Sequence, residues 1–124
     1  MIRNIFLVGI GGGIGSIARY LWQKWCTEHY PGLFPWGTFT INLTGCLLIG
    51  IVWGLSLKGE GINAGWKLFL MTGICGGYTT FSAFSLESVN LLKENKPGIF
   101  TLYVGGSILL GLLGTYLGLK LARI

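Results

Sequence analysis

Aspartate is absent from the sequence, histidine occurs once, at His29, and the only acidic side chains are Glu28, Glu60, Glu87 and Glu94. That poverty excludes most enzyme chemistry, because triads and metal centres need several titratable groups converging on one point. Charge of either sign is scarce: 10% of the 124 residues are charged, against about a quarter in a typical soluble domain. The three cysteines, Cys26, Cys46 and Cys75, are widely spaced, odd in number and form no C-x-x-C. Neither a disulfide framework nor a zinc site follows from that pattern, and apolar packing is their expected role. The first apolar run lacks an A-x-A exit and continues as a long helix, so it is expected to stay in the mature protein rather than act as a cleaved signal.

Apolar side chains and glycine are what the chain has in quantity. Hydrophobic residues make up 52% and glycine 22 of 124, a combination suited to membrane helices whose backbones approach closely. A crossing needs about 20 mostly apolar residues. Four such runs are present, at about 3–26, 36–57, 64–92 and 98–122, and predict an all-α membrane protein of one four-helix unit over 1–124. Pro31-Gly32, Lys58-Gly59-Glu60-Gly61 and Lys93-Glu94-Asn95-Lys96-Pro97 supply the turns between them.

Four crossings put both termini on one side. That side then holds Arg3, Lys58, Lys67, Lys120 and Arg123, and the other holds Arg19, Lys24, Lys93 and Lys96. Five against four gives little orientational instruction, since orientation follows the lysine and arginine bias. Insertion both ways round, and an antiparallel homodimer that builds a route one small copy cannot enclose, are the expectation.

The third run is longer than a straight crossing requires, and its centre carries Gly73, Gly76, Gly77, Thr79 and Thr80. Glycine lowers helix propensity, and threonine hydroxyls compete for backbone groups, so a break near the midplane is predicted. A straight helix packed through its glycines is the alternative. Backbone broken at membrane depth must be satisfied by protein or a wet cavity, and its freed carbonyls can hold a small cation. After the break, Phe81 and Phe84 share a helix face, and their positive ring edges can attract an anion without binding it as firmly as a lysine would. Two such rings are also ordinary core.

On the second helix Thr38, Asn42 and Gly45 form a face; the Asn42 amide serves equally as interhelical glue or as a donor to an anion. Tyr103, Ser107 and Thr115 make a hydroxyl stripe on the fourth helix, interrupted at Gly111, beside the packing pair Gly114 and Gly118. Arg19 and Glu87 are charges on apolar segments, where they snorkel or serve function. Arg19 is placed to concentrate anions at a pore mouth. For Glu87 the sequence gives a position but no partner. Gly13-Ile14-Gly15-Ser16-Ile17-Ala18 matches a loose dinucleotide pattern, but no strand precedes it, and Gly9/Gly13 and Gly11/Gly15 read better as helix-packing pairs.

Four blocks resemble the Fluc, or CrcB, family of fluoride channels across essentially the whole chain: GGGIGSIARY from Gly11, WGTFTINLTGCLLIG from Trp36, GICGGYTTFSAFSLE from Gly73, and, more weakly, Tyr103 with Ser107. The resemblance implies a dual-topology antiparallel homodimer in the inner (plasma) membrane, with two fluoride pores and one structural sodium ion held by backbone carbonyls matching Gly76 and Thr79 of both copies. It implies pore roles for Phe81, Phe84, Asn42, Ser107 and Tyr103, with Thr80 or Ser82 extending the hydroxyl track, Glu87 along the pore and Arg19 near its entrance. Gly111 departs from relatives that carry another hydroxyl there. Passive export of cytoplasmic fluoride is the implied activity, with the lipid bilayer and a second copy as partners and no nucleic acid. The competing reading, a small proton-coupled exporter of organic cations, needs a buried carboxylate that the first helix lacks.

Overall fold

The computed structural model describes residues 1–58 and 62–123, and among them every regular element is helical. In chain order these are α1 (Ile2–His29), α2 (Trp36–Leu57), α3 (Ala64–Lys67), a π-helical stretch (Leu68–Cys75), α4 (Gly76–Tyr78), α5 (Phe81–Lys93) and α6 (Pro97–Arg123). α1, α2 and α6 are each long and apolar enough to cross a membrane. Most of their large apolar side chains face outward, as a lipid solvent permits. The expected turn at Lys58-Gly59-Glu60-Gly61 falls largely outside the described residues.

The third run is continuous helix from 64 to 78, stops at Thr79–Thr80, and resumes as α5. Asn63 caps the start, its side-chain oxygen accepting from the Trp66 backbone N–H at 2.9 Å. Thr79 and Thr80 are extended, with ψ of 158° and 123°. Thr80 then caps α5 by accepting from the Ala83 N–H at 3.2 Å. One residue type thus both ends a helix and starts the next, as threonine's competition for backbone groups predicts. The π stretch just before the break was not anticipated.

α5 ends in a Schellman turn. Asn95 takes the left-handed conformation (φ 56°), the Lys96 N–H bonds the Leu91 carbonyl at 2.9 Å and the Asn95 N–H bonds the Leu92 carbonyl at 3.1 Å. Pro97 follows as the first residue of α6, where its missing N–H costs nothing.

Packing is by glycine contact. α2 lies along α6, where a Cβ on Gly118 would sit 2.9 Å from the Ile51 nitrogen and one on Gly54 would sit 2.7 Å from the Ala122 Cβ. α1 lies along the 64–78 rod, with Gly11 and Gly73 facing each other so closely that a Cβ on either would come within about 3 Å of the other's Cα. Two glycine-packed pairs therefore make the body, and the break lies between them.

Candidate functional site

The break leaves backbone groups without helical partners, and the surrounding helices take up some of them. Asn42, on α2, grips Thr80 from both sides: its Nδ2 donates to the Thr80 carbonyl at 3.1 Å, and its Oδ1 accepts from the Thr80 N–H at 2.9 Å. The Gly77 carbonyl accepts from Arg19 Nε at 3.1 Å, with the Ser16 hydroxyl at 3.5 Å. Thr79 turns its hydroxyl back onto the Cys75 carbonyl at 2.8 Å. No hydrogen bond across the break reaches the carbonyls of Gly76, Tyr78 or Thr79 among the described residues. These are strong acceptors in a segment with no solvent of its own.

Beside the break is a cavity of about 380 Å³, lined by Asn42, Gly76, Thr79, Thr80, Phe81, Phe84 and Ser107, together with Gly45, Cys46, Met71 and Cys75. Seven of the eleven site residues expected from the sequence meet on this one wall. The Phe81 and Phe84 rings lie 5.9 Å apart and tilted by 48°, and Phe81 is 78% exposed in the single protomer. Ser82 is nearby, its hydroxyl 3.4 Å from that of Thr80.

Ser107 stands apart from the other helix hydroxyls. Thr44, Ser88 and Thr101 each turn back to the carbonyl four residues earlier, at 2.7 to 2.8 Å. Ser107 Oγ is buried and has no partner among the described residues. Thr115, from the same stripe, spends its hydroxyl on the Cys46 carbonyl at 3.2 Å. Gly111 lies against Cys46, its would-be Cβ 3.4 Å from the Sγ. Of the fourth-helix stripe, Thr115 is engaged elsewhere and Ser107 keeps its hydroxyl unbonded among the described residues, while Thr80 and Ser82 bring two more hydroxyls to the same region.

Glu87 and Tyr103 belong to a second location. Tyr103 is fully buried and donates its hydroxyl to Glu87 Oε1 at 3.1 Å, which supplies the partner that the sequence could not give. Glu87 lines a separate cavity of about 470 Å³ with Gln23, Asn90 and Glu94. Tyr103 stands between the two cavities, its ring 5.1 Å from that of Phe84. Thr38 is also fully buried and accepts from Gln23 Nε2 at 2.8 Å. Neither Gln23 nor Ser16 was singled out in the sequence. Each is one polar residue on an apolar helix, and its partner is distant in the chain.

Comparison with known proteins places the chain in a family. The family profile described as "CrcB-like protein, Camphor Resistance (CrcB)" matches residues 6–119. A protein of Flavobacterium psychrophilum named "Fluoride-specific ion channel FluC" is 44% identical, the alignment covering 98% of each chain. Another of that name, from Bacteroides fragilis, is 48% identical, covering 94% of this chain and 97% of the relative. A third, from Phocaeicola vulgatus, is 43% identical over 98% of this chain and all of the relative. With three helices long and apolar enough to cross a bilayer, the protein is a multi-pass plasma-membrane protein, and it belongs to the CrcB-like family.

Proposed function

We propose that this protein is a fluoride-selective channel that exports cytoplasmic fluoride passively, and that the 380 Å³ cavity beside the broken helix is the wall of its pore. The observation that carries this reading is Ser107: a hydroxyl buried in a membrane helix, without the usual carbonyl partner, on the same wall as Asn42, Phe81 and Phe84. An orphaned donor there costs about 1–3 kcal/mol unless an acceptor arrives. Fluoride is small, hard and strongly hydrated, so a passage must replace its water with donors. Ser107 gives one O–H, and Asn42 gives the second amide N–H that Thr80 does not use. The edges of Phe81 and Phe84 add weak positive potential that attracts without trapping. Weak acidity lets HF enter a cell, the higher internal pH ionises it, and the anion leaves by this route.

In this proposal the segment 64–93 makes a fourth, interrupted crossing, and two copies insert antiparallel to give two pores. Support comes from the near balance of lysine and arginine, five against four, and from the break falling at the middle of the segment. A structural sodium ion at the dimer centre fits the donor set: the Gly76 and Thr79 carbonyls, with that of Tyr78, are left over once Arg19 and Asn42 have claimed Gly77 and Thr80. Hard oxygen donors of this kind suit a hard monovalent cation, which would neutralise aligned carbonyl dipoles.

Proteoliposomes loaded with fluoride and chloride, read with selective electrodes, test the function. Rapid fluoride efflux with negligible chloride, unchanged when proton coupling is abolished, is expected. Comparable chloride flux, or proton-dependent uptake of a cationic dye in its place, would overturn the reading. Thermal melting in sodium against N-methylglucamine tests the ion, with a lower midpoint expected when sodium is withdrawn.

A further inference from the structure

The two ends of the helical body differ in charge. Where α1 and α3 begin and α2 and α6 end, the segments are close neighbours: Arg3 lies against Gly65, Lys67 sits over the Trp53 ring at 4.1 Å, and Gly54 packs on Leu119 and Ala122. That end carries Arg3, Lys58, Lys67, Lys120 and Arg123; its one acidic residue in the sequence, Glu60 between Lys58 and Asn63, lies outside the described residues. Glu28, Glu87 and Glu94 all belong to the other end, with Arg19, Lys24, Lys93 and Lys96. Orientation responds to lysine and arginine alone, so five against four is nearly neutral for insertion. Surface potential responds to net charge, and with Glu60 counted this end has five cations and one carboxylate against four cations and three carboxylates at the other, so it is the more basic of the two.

At the basic end is a groove of about 190 Å³, lined by Arg3, Leu7, Asn63, Gly65, Trp66 and Phe69. The guanidinium reaches into it because residue 65 has no side chain: a Cβ there would stand 2.8 Å from Arg3 Nη2. Leu7 and Phe69 give apolar lining. Trp66, 54% exposed and edge-on to Phe69 at 5.9 Å, makes an aromatic wall where spanning helices end. Tryptophan at that level marks the headgroup boundary of a bilayer.

We propose that this groove docks an anionic phospholipid, with its phosphate on Arg3 and its upper acyl chain along Leu7 and Phe69. The chemistry is complementary at both levels: a forked cation for phosphate oxygens above, hydrocarbon below. Lys67, on its ring, adds to the positive field, as does Lys120, held 5.3 Å from the Tyr116 centroid. A zwitterionic lipid offers the same phosphate but brings its own ammonium, so it gains less.

The full-length protein, reconstituted in mixtures of phosphatidylcholine with tail-brominated phosphatidylglycerol or tail-brominated phosphatidylcholine, gives relative lipid affinities from quenching of its tryptophan fluorescence. Phosphatidylglycerol should be favoured about fivefold, the effect of one cation at a membrane surface, and the preference should fall with salt. Arg3→Gln should remove most of it, whereas Lys93→Gln at the opposite end should leave it unchanged. Equal affinity for the two lipids, or a preference that survives Arg3→Gln, overturns the proposal. So does abolition of the preference by inorganic phosphate at constant ionic strength, which would assign the groove to a free anion. Fluorescence of unquenched Arg3→Gln matching the parent verifies its fold.

Discussion

Two regions of this molecule use glycine in the same way and arrive at opposite results. α2 and α6 meet through Gly50, Gly54, Gly114 and Gly118, and both run unbroken. α1 meets the 64–78 rod through Gly11, Gly15, Gly73 and Gly77, and that rod stops one residue after Gly77. Close approach alone therefore does not interrupt a helix. What differs is the polar supply: beside the break stand Arg19, Asn42 and Ser16, which accept or donate the bonds a continuous helix would have made. Small residues permit the interruption, and long-range polar partners stabilise it.

The comparison breaks most severely on the unbroken side. Gly118→Val places a branched side chain against the Leu47 carbonyl and the Ile51 nitrogen, both backbone and unable to move aside. Overpacking of this sort costs about 1–3 kcal/mol or more, and loss of the monodisperse peak in size-exclusion chromatography is the expected outcome. On the broken side, Asn42→Asp sets a carboxylate against the Thr80 carbonyl and removes the donor. We expect a loss of about 1–3 kcal/mol in stability, measured by denaturant melting, together with suppressed fluoride flux. Normal flux from that variant would make Asn42 structural glue and nothing more.

Phe81→Ile and Phe84→Ile keep an apolar side chain and remove the ring edges. Flux should fall about fivefold for each variant in the liposome assay, with the elution volume unchanged, since ring electrostatics are worth about 1 kcal/mol each. Ser107→Ala separates transport from stability most finely. Deleting an orphaned hydroxyl relieves a buried donor, so the melting temperature should hold or rise while flux falls severalfold. Ser88→Ala, whose hydroxyl is spent on the Phe84 carbonyl at 2.7 Å, should alter flux little. A Ser88→Ala variant as impaired as Ser107→Ala would dissolve the distinction between bonded and free hydroxyls.

How much of this was legible in the letters follows from the same physics. Helix extents are composition and spacing, and the expected runs 36–57 and 98–122 differ from the observed ends by no more than one residue, whereas α1 continues three residues past 26. The break could be read from Gly76-Gly77 followed by Thr79-Thr80, because both signals are local. The π stretch could not: in Leu68–Cys75 nearly every side chain is apolar, so a change of helical pitch leaves no pattern to shift. Arg19 shows the limit most clearly. Its place on an apolar helix suggested a field at a pore mouth, and the structure puts its Nε on the Gly77 carbonyl. Which carbonyl a guanidinium meets depends on how α1 packs against the rod, and no spacing within α1 encodes that.

The two-sided hold of Asn42 on Thr80 has a mechanical consequence. A side-chain amide bound through both its oxygen and its nitrogen imitates the peptide group of an adjacent strand, so the gap in the helix is splinted rather than slack. Bending there would first require both bonds to part, at about 1–3 kcal/mol for each group left dry. The kink should accordingly behave as a rigid elbow, holding the neighbouring cavity at constant width, and under the proposed function no swivelling cycle would be tied to each ion.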